Sequence, residues 1–328
     1  MKILSKGDGP LFMDPDPDLA RAHFRKKSRA LVDKRMSVEE AVERFIPNGT
    51  YIAIGGFGGV RVPVAIMHEI VRQRKKGLGL SGHTATHDFQ ILAAGECFDR
   101  CDIAYVIGLE ARGVSANARR YMESGKVRFC EWTNAAMAWR FKAAALGIPF
   151  LIGRQTLGAD SFPHSASYLI ECPYTKKRFA TFPALYPDVA IIHVHEADKF
   201  GNSVIKGVSI VDDDLARAAK HTIISCERLV DTEKFRNDPH EVMIPYYCVD
   251  AVVEVRYGSY PGNMPYEYFS DEVHLKEWLA VEKDEEAFKK FLDENIFGVK
   301  DFREYIEKRG GEKRMEELRR VEFLTNGG

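Results

Sequence analysis

The chain has 328 residues, enough for one large α/β domain or two small ones. Lys and Arg (47) balance Asp and Glu (48), so the net charge of −1 recruits neither nucleic acid nor a membrane surface. The six cysteines follow no disulfide spacing, and Cys130 and Cys226 read as buried thiols of a reducing cytoplasm. The first residues, MKILSKGDGPLFMDPDPD, hold no apolar core of a signal peptide, and no apolar run reaches the length of a membrane span.

Residues 1–36 read as an N-terminal arm. Pro10, Pro15 and Pro17 break it, and a basic cluster from Arg21 to Lys34 suits a solvated extension or a packing arm. Folded structure is expected from Ser37, because Ser37-Val38-Glu39-Glu40 is a capping box followed by Ala41, Val42 and Phe45 on one face. Short apolar runs then alternate with helix-length segments. The runs are 51–54, 78–81, 103–107, 127–130, 150–152, 189–194, 222–226 and 251–255. Caps mark the helices between them. Ser115 opens one that Gly125 closes. Thr133 opens an Ala-rich run closed by Gly147, with Pro149 beyond. Asp212, Asp213 and Asp214 fill the first turn of another. This alternation predicts an α/β fold, a mainly parallel open sheet covered by helices, over residues 37–269. Residues 270–328 carry no strand signal. Their charged amphipathic segments read as a helical tail packing on the domain or on a partner.

Ligands of parallel sheets sit at the carboxyl ends of strands. Two loops there carry the chemistry. Tyr51–Ile54 empties into Gly55-Gly56-Phe57-Gly58-Gly59, followed by Arg61 and Pro63. Glycines let a backbone press against a ligand and leave N–H groups at a helix start free to donate. The loop lacks the third glycine of a dinucleotide fingerprint and the Lys-Ser/Thr of a P-loop; a tight turn is its bland alternative. The next loop is Gly82-His83-Thr84-Ala85-Thr86-His87-Asp88, whose small and hydroxyl side chains suit a carboxylate or carbonyl. His83 and His87 have no third ligand at a recognisable spacing, so no metal is expected. His193 and His195 share a strand face near Glu196 and Asp198; a histidine hydrogen-bonded near the sheet edge is preferred to a metal site. Glu110 and Glu131 follow strands where a catalytic acid belongs, or are surface carboxylates. No Ser/His/Asp set is evident.

Together, Ile52-Ala-Ile-Gly-Gly-Phe-Gly-Gly-Val-Arg-Val-Pro63, Ala143–Leu151, Asp188–His193, Gly201-Asn202, Ala216–Ile223 with Cys226-Glu227, and Ile244-Pro245 with Val249–Val253 resemble the α subunits of family I CoA-transferases, the glutaconate type above all. The resemblance runs from about Ser37 to Gly310. It implies a fold similar to the NagB/ribose-phosphate-isomerase type, a coenzyme A thioester as substrate, and no permanently bound cofactor. It also implies a β-type partner subunit in an (αβ)n heteromer. That partner normally carries the nucleophilic glutamate in a Ser-Glu-Asn-Gly-like motif. Here the only Glu-Asn, Glu294-Asn295, lies in the helical tail. The Gly55–Gly59 loop and residues 83–88 would line the acyl pocket. Relatives of the same subunit type are ring-opening CoA-thioester hydrolases of steroid degradation that use an acid on the α-type chain, and Glu131 falls near its place. The Gly82–Asp88 loop departs from the Gly/Ala-rich loop of the transferase. A sugar-phosphate isomerase on the same fold ranks last, because the glycine loop has no Ser, Thr or Lys to hold a phosphate.

Overall fold

In the computed structural model of the chain, residues 2–106, 108 and 112–325 are described. Twelve strands are present among them: β1 (Lys2–Lys6), β2 (Tyr51–Ile54), β3 (Leu78–Gly82), β4 (Phe98–Ile103), β5 (Arg128–Glu131), β6 (Phe150–Gly153), β7 (Tyr168–Glu171), β8 (Arg178–Pro183), β9 (Val189–Ala197), β10 (Ser203–Val204), β11 (His221–Leu229) and β12 (Ala251–Glu254). Seven of these form a parallel sheet in the order β12-β11-β9-β2-β3-β4-β5, with β10 folded back antiparallel on β9. Before β9 lie α1 (Pro17–Phe24), α2 (Val38–Phe45), α3 (Val64–Arg72), α4 (His87–Ala94), α5 (Ala116–Glu123) and α6 (Asn134–Leu146). After β9 come α7 (Asp212–Ala218), α8 (Thr232–Asn237), α9 (Glu272–Val281), α10 (Glu285–Leu292), α11 (Phe302–Lys308) and α12 (Gly311–Glu322).

The helix starts follow the local chemistry. Ser37 and Glu40 make the capping box of α2, Ser115 caps α5, Thr133 caps α6, and Gly147 ends α6 at φ +67°. The sheet is apolar on both faces. Ile52 and Ile54 of β2 pack with α3, α4 and the tail helices, while Tyr51 and Ala53 pack with α6 and α7. A period-2 strand buried on both sides needs such an unbroken apolar run.

Three expectations need correction. The strand placed at 103–107 lies earlier, at Phe98–Ile103, and Ile107 is outside the described residues. Its polar Asp102 is buried because Arg140, Trp132 and Tyr51 all donate to its carboxylate. A satisfied charge makes a strand interior from residues that do not look apolar. Second, the 150–152 run does not join the parallel sheet. It becomes β6 of a separate antiparallel sheet ordered β1-β7-β8-β6. Third, folded structure starts before Ser37, and of the two readings of the basic arm the packing arm is the one found: β1 pairs with β7, Lys27 pairs with Asp250 at 2.7 Å, and Lys34 donates to Tyr246 O at 2.6 Å.

The tail helices share the core of the sheet's α3/α4 face. Trp278 of α9 is buried, edge-on to His87 at 4.9 Å between centroids and to Phe288 and Phe291 of α10. His68 of α3 packs on Tyr305 of α11. Among the described residues no helix is long and apolar enough to cross a membrane. Trp278→Ala should remove about 3–5 kcal/mol of stability, read as a lowered urea midpoint that moves the core and tail signals together.

Candidate active site

The glycine loop leaves β2 between β9 and β3, at the carboxyl edge of the sheet. It is clamped from below. Asp212, the first residue of α7, accepts from Gly56 N at 2.9 Å and pairs with Arg61 through both oxygens, at 3.2 and 2.8 Å. Ser209 Oγ donates to the same carboxylate at 3.0 Å. Both side chains of the pair have zero exposure. Burial alone would raise the Asp212 pKa, but the Arg61 charge and these donors hold it below the usual carboxylate range. Arg61 also donates to the carbonyls of Val208 and His193. It therefore supports the loop from beneath and does not face solvent. Two glycines are demanded by this geometry. A Cβ at Gly55 would stand 2.6 Å from Asp212 Oδ1, and Gly56, at φ +89°, would put one 2.7 Å from Val60 O.

The second loop is tied to the first. Gly58 N donates to Thr84 O at 3.1 Å, and Thr86 Oγ1 donates to Gly58 O at 2.7 Å. Asn134 of α6 donates to Thr84 Oγ1 at 2.7 Å, and Thr84 Oγ1 is 2.9 Å from His83 Nδ1. The rings of His83 and Phe57 stand 5.7 Å apart, and Phe57 is 36% exposed. Burial pulls the His83 pKa down, which favours a neutral ring. The structure thus brings Gly55, Gly56, Phe57, Gly58, Gly59, Gly82, His83, Thr84 and Thr86 together. His87 turns away from them, buried against Trp278 with Nδ1 3.1 Å from Gln90 Oε1. Asp88 turns back to accept from Thr86 N at 2.7 Å.

The free N–H groups expected in the glycine loop are mostly committed. Gly55 donates to Ile191 O, Gly56 to Asp212, Phe57 to Val60 O and Gly58 to Thr84 O. Among the described residues only Gly59 keeps an N–H without an acceptor in this loop. Glu131 ends β5 on the same sheet edge, opposite Ile103, and its carboxylate has no partner among the described residues. Glu110 lies outside the described residues.

His193 and His195 do not sit near the sheet edge, because β9 is central. His193 is bonded to Ser225 Oγ and Glu227, both at 2.9 Å, and His195 to Pro265 O and Lys206 N. Asp212, Asn134 and Arg112 carry no signal in the sequence that marks them for the site. The Asp triplet signalled only a helix start, and nothing local linked it to Arg61 far upstream.

A parallel sheet with a clamped glycine loop at its carboxyl edge defines an α/β protein whose candidate binding site lies at that edge. The coenzyme A transferase profile matches residues 35–255, and the chain belongs to that family. It is 32% identical over 296 residues to the A subunit of glutaconate CoA-transferase from Acidaminococcus fermentans, covering 85% of this chain and 92% of that one. The crystal structure of glutaconate CoA-transferase from that organism superposes with a TM-score of 0.82 at 31% identity, over 87% of this chain and 95% of that chain. The A subunit of 3-oxoadipate CoA-transferase from Pseudomonas knackmussii is 32% identical over 82% of this chain and 96% of its own length. One chain of a cholesterol ring-cleaving hydrolase from Rhodococcus jostii is 26% identical over 82% of this chain and 94% of its own.

Asp212→Ala leaves Arg61 buried and unpaired, and should cost about 3–5 kcal/mol; an Arg61→Met/Asp212→Leu pair should recover much of that loss in the same denaturation assay.

Burial lowers His87 to about 3 and His195 to about 4. Below pH 6.5 the unfolded chain takes protons that the folded chain refuses, so stability should fall as pH drops from 6.5 toward 4. Asp88, raised by burial to about 6, works the other way as pH rises from 3.8 to 6. Two histidines outweigh one carboxyl, and the urea midpoint should decline on acidification, less steeply in His195→Gln.

Proposed function

We propose that this chain is the α subunit of a heteromeric CoA-transferase, moving CoA between an acyl-CoA and a carboxylic acid, with the nucleophilic glutamate on a β-type partner. The observation that carries this reading is the composition of the two joined loops. They offer an apolar ring at Phe57, a neutral imidazole at His83 and a backbone donor at Gly59, but no accessible carboxylate. Their one carboxylate, Asp88, is buried and turned back on its own backbone. Such a surface binds and orients an acyl group and leaves the covalent step to another chain.

In that step the partner's carboxylate attacks the thioester carbonyl, the C–S bond breaks, and CoA leaves as a thiolate from an acyl-glutamyl anhydride. The thiolate then attacks the glutamyl carbonyl. This releases the first acid and leaves a glutamyl-CoA thioester. The acceptor carboxylate repeats the sequence in reverse. Gly59 N–H is the donor this chain can offer to an oxyanion at the thioester carbon. The Gly55–Gly59 and Gly82–Thr86 loops hold the acyl chain. Arg61 and His87 hold the loops.

The second reading is a ring-opening CoA-thioester hydrolase with Glu131 as its acid. The unpartnered Glu131 carboxylate at the end of β5 favours it.

The chain alone should transfer no CoA, and activity should need the β-type partner. Glu131→Gln in the pair should then cost no more than about 1 kcal/mol, the upper worth of an ordinary hydrogen bond, because its carboxylate has no partner among the described residues to lose, and hydroxylamine should trap the activated glutamate on the partner. A loss of roughly 10²–10⁴ in rate, with nothing trapped, would give the reaction to Glu131 and the hydrolase.

A further inference from the structure

His83 is held on two sides. Its Nδ1 lies 2.9 Å from Thr84 Oγ1, and its ring stands 5.7 Å from that of Phe57, tilted by 39°. The residue is only 7% exposed. Its Nε2 bonds to none of the described residues, yet it is not sealed in. This nitrogen is therefore the polar end of the ring that meets whatever enters the site.

Thr84 and Asn134 decide which nitrogen carries the hydrogen. A hydroxyl has one hydrogen and two lone pairs. Thr84 Oγ1 accepts from Asn134 Nδ2 at 2.7 Å, and its one acceptor among the described residues is His83 Nδ1. The arrangement that satisfies every group has Thr84 donating to Nδ1. By this network the ring hydrogen is assigned to Nε2. Asn134 is the first residue of α6, which Thr133 caps, so the chain of bonds ends on a fixed helix. The charged group that acts on the ring is Asp212 of α7, and its charge is already matched by Arg61. Burial outweighs it and keeps the ring uncharged near pH 7.

The transferase step offers an imidazole no proton to take. A carboxylate attacks, a thiolate leaves, and neither is protonated on the way. What develops is negative charge on the thioester oxygen, and a neutral imidazole N–H polarises a carbonyl. Gly58 N donates to Thr84 O, so Gly59 and His83 flank the same junction between the two loops.

We propose that His83 Nε2–H is a second donor, beside Gly59 N–H, to the reacting thioester oxygen, and that Thr84 and Asn134 are positioning residues that fix its tautomer. The proposal rests on the transferase reading and adds a catalytic side chain of this subunit. When the partner's carboxylate attacks, the carbonyl electron pair moves onto the oxygen, where both N–H groups donate to it. The pair returns as the C–S bond breaks. His83 keeps its hydrogen throughout.

The test uses the chain assembled with its β-type partner, acetyl-CoA as donor, and glutarate or butyrate as acceptor. H83F should lower kcat about 10²–10³-fold, the worth of one oxyanion donor, with KM little changed. H83Q, whose amide nitrogen falls near the place of Nε2, should recover most of that loss and keep the wild-type pH profile. T84V should lower kcat about 10-fold, as for one lost hydrogen bond, and T84S should restore it. T84V/N134A should lose no more than T84V alone, because the two act through one chain of bonds. Full activity in H83F, an H83Q as impaired as H83F with the acid limb of the profile gone, or additive losses for Thr84 and Asn134 would overturn the proposal. Spectra of the 15N-histidine-labelled complex read the tautomer without turnover. The His83 signals, identified by their loss in H83Q, should show hydrogen on Nε2; hydrogen on Nδ1 would also overturn it. If the complex transfers CoA to neither acid but hydrolyses acetyl-CoA, the transferase reading fails. The donor role then stands if hydrolysis falls in H83F and recovers in H83Q, and fails if it does not. No turnover of either kind overturns both.

Discussion

The buried pair of Arg61 and Asp212 is the interaction on which the site depends. A strand entering a run of glycines has no side chains with which to hold its loop. Backbone entropy is greatest where glycines cluster. Here the loop is held from outside itself. Asp212 approaches so closely that no Cβ fits at Gly55, and its carboxylate takes the Gly56 N–H together with the Arg61 fork. Two buried charges cost desolvation, and a bidentate pair with further donors offsets it. The glycines are thus the condition for the clamp, and the clamp removes the freedom the glycines would otherwise have.

This rigidity narrows the chemistry. Four of the loop's five N–H groups are used to build it, so it is no open anion nest. It presents an apolar ring, one free donor and the imidazole of the neighbouring loop. A phosphate needs more donors than that, which argues against a sugar-phosphate site on this fold. An acyl thioester, with one carbonyl oxygen to stabilise and an apolar chain to cover, asks for about this much. The choice between transfer and hydrolysis then rests on where the attacking carboxylate stands, across the loops on a partner or at the end of β5.

Much of the fold was legible because its signals are local. The capping box at Ser37, the caps at Ser115 and Thr133, the αL glycine at Gly147 and the apolar run Tyr51–Ile54 each decide their own few residues. What was not legible depends on pairs distant in the chain. Arg100 and Asp102 disguise β4, because only Arg140, Trp132 and Tyr51 together make a buried aspartate tolerable there. The β6 run looks like a parallel strand until β8 pairs with it, and β1 looks like a tail until β7 does. The two loops were visible as loops. Their clamp was not, since an aspartate opening a helix looks the same whether it faces water or a buried guanidinium. Arg61 carried a motif's signal and lies buried underneath the loop, paired with Asp212.

The C-terminal helices supply the outer wall of the site, and they too hold the loops from outside. α9 begins with Glu272 gripping Arg112 above Gly59, and within two turns it places Trp278 against His87, where the second loop becomes α4. A single helix thus touches the supports of both loops. It is anchored in turn by Asp271, which takes Arg314 of α12 and the Tyr260 hydroxyl, and whose pKa is depressed to about 2 by those donors against the opposing effect of burial. The Asp271 anchor and the Trp278 packing hold α9 against the core, so the helix that grips Arg112 through Glu272 is itself fixed, and the wall it forms stands on contacts outside the loops it supports.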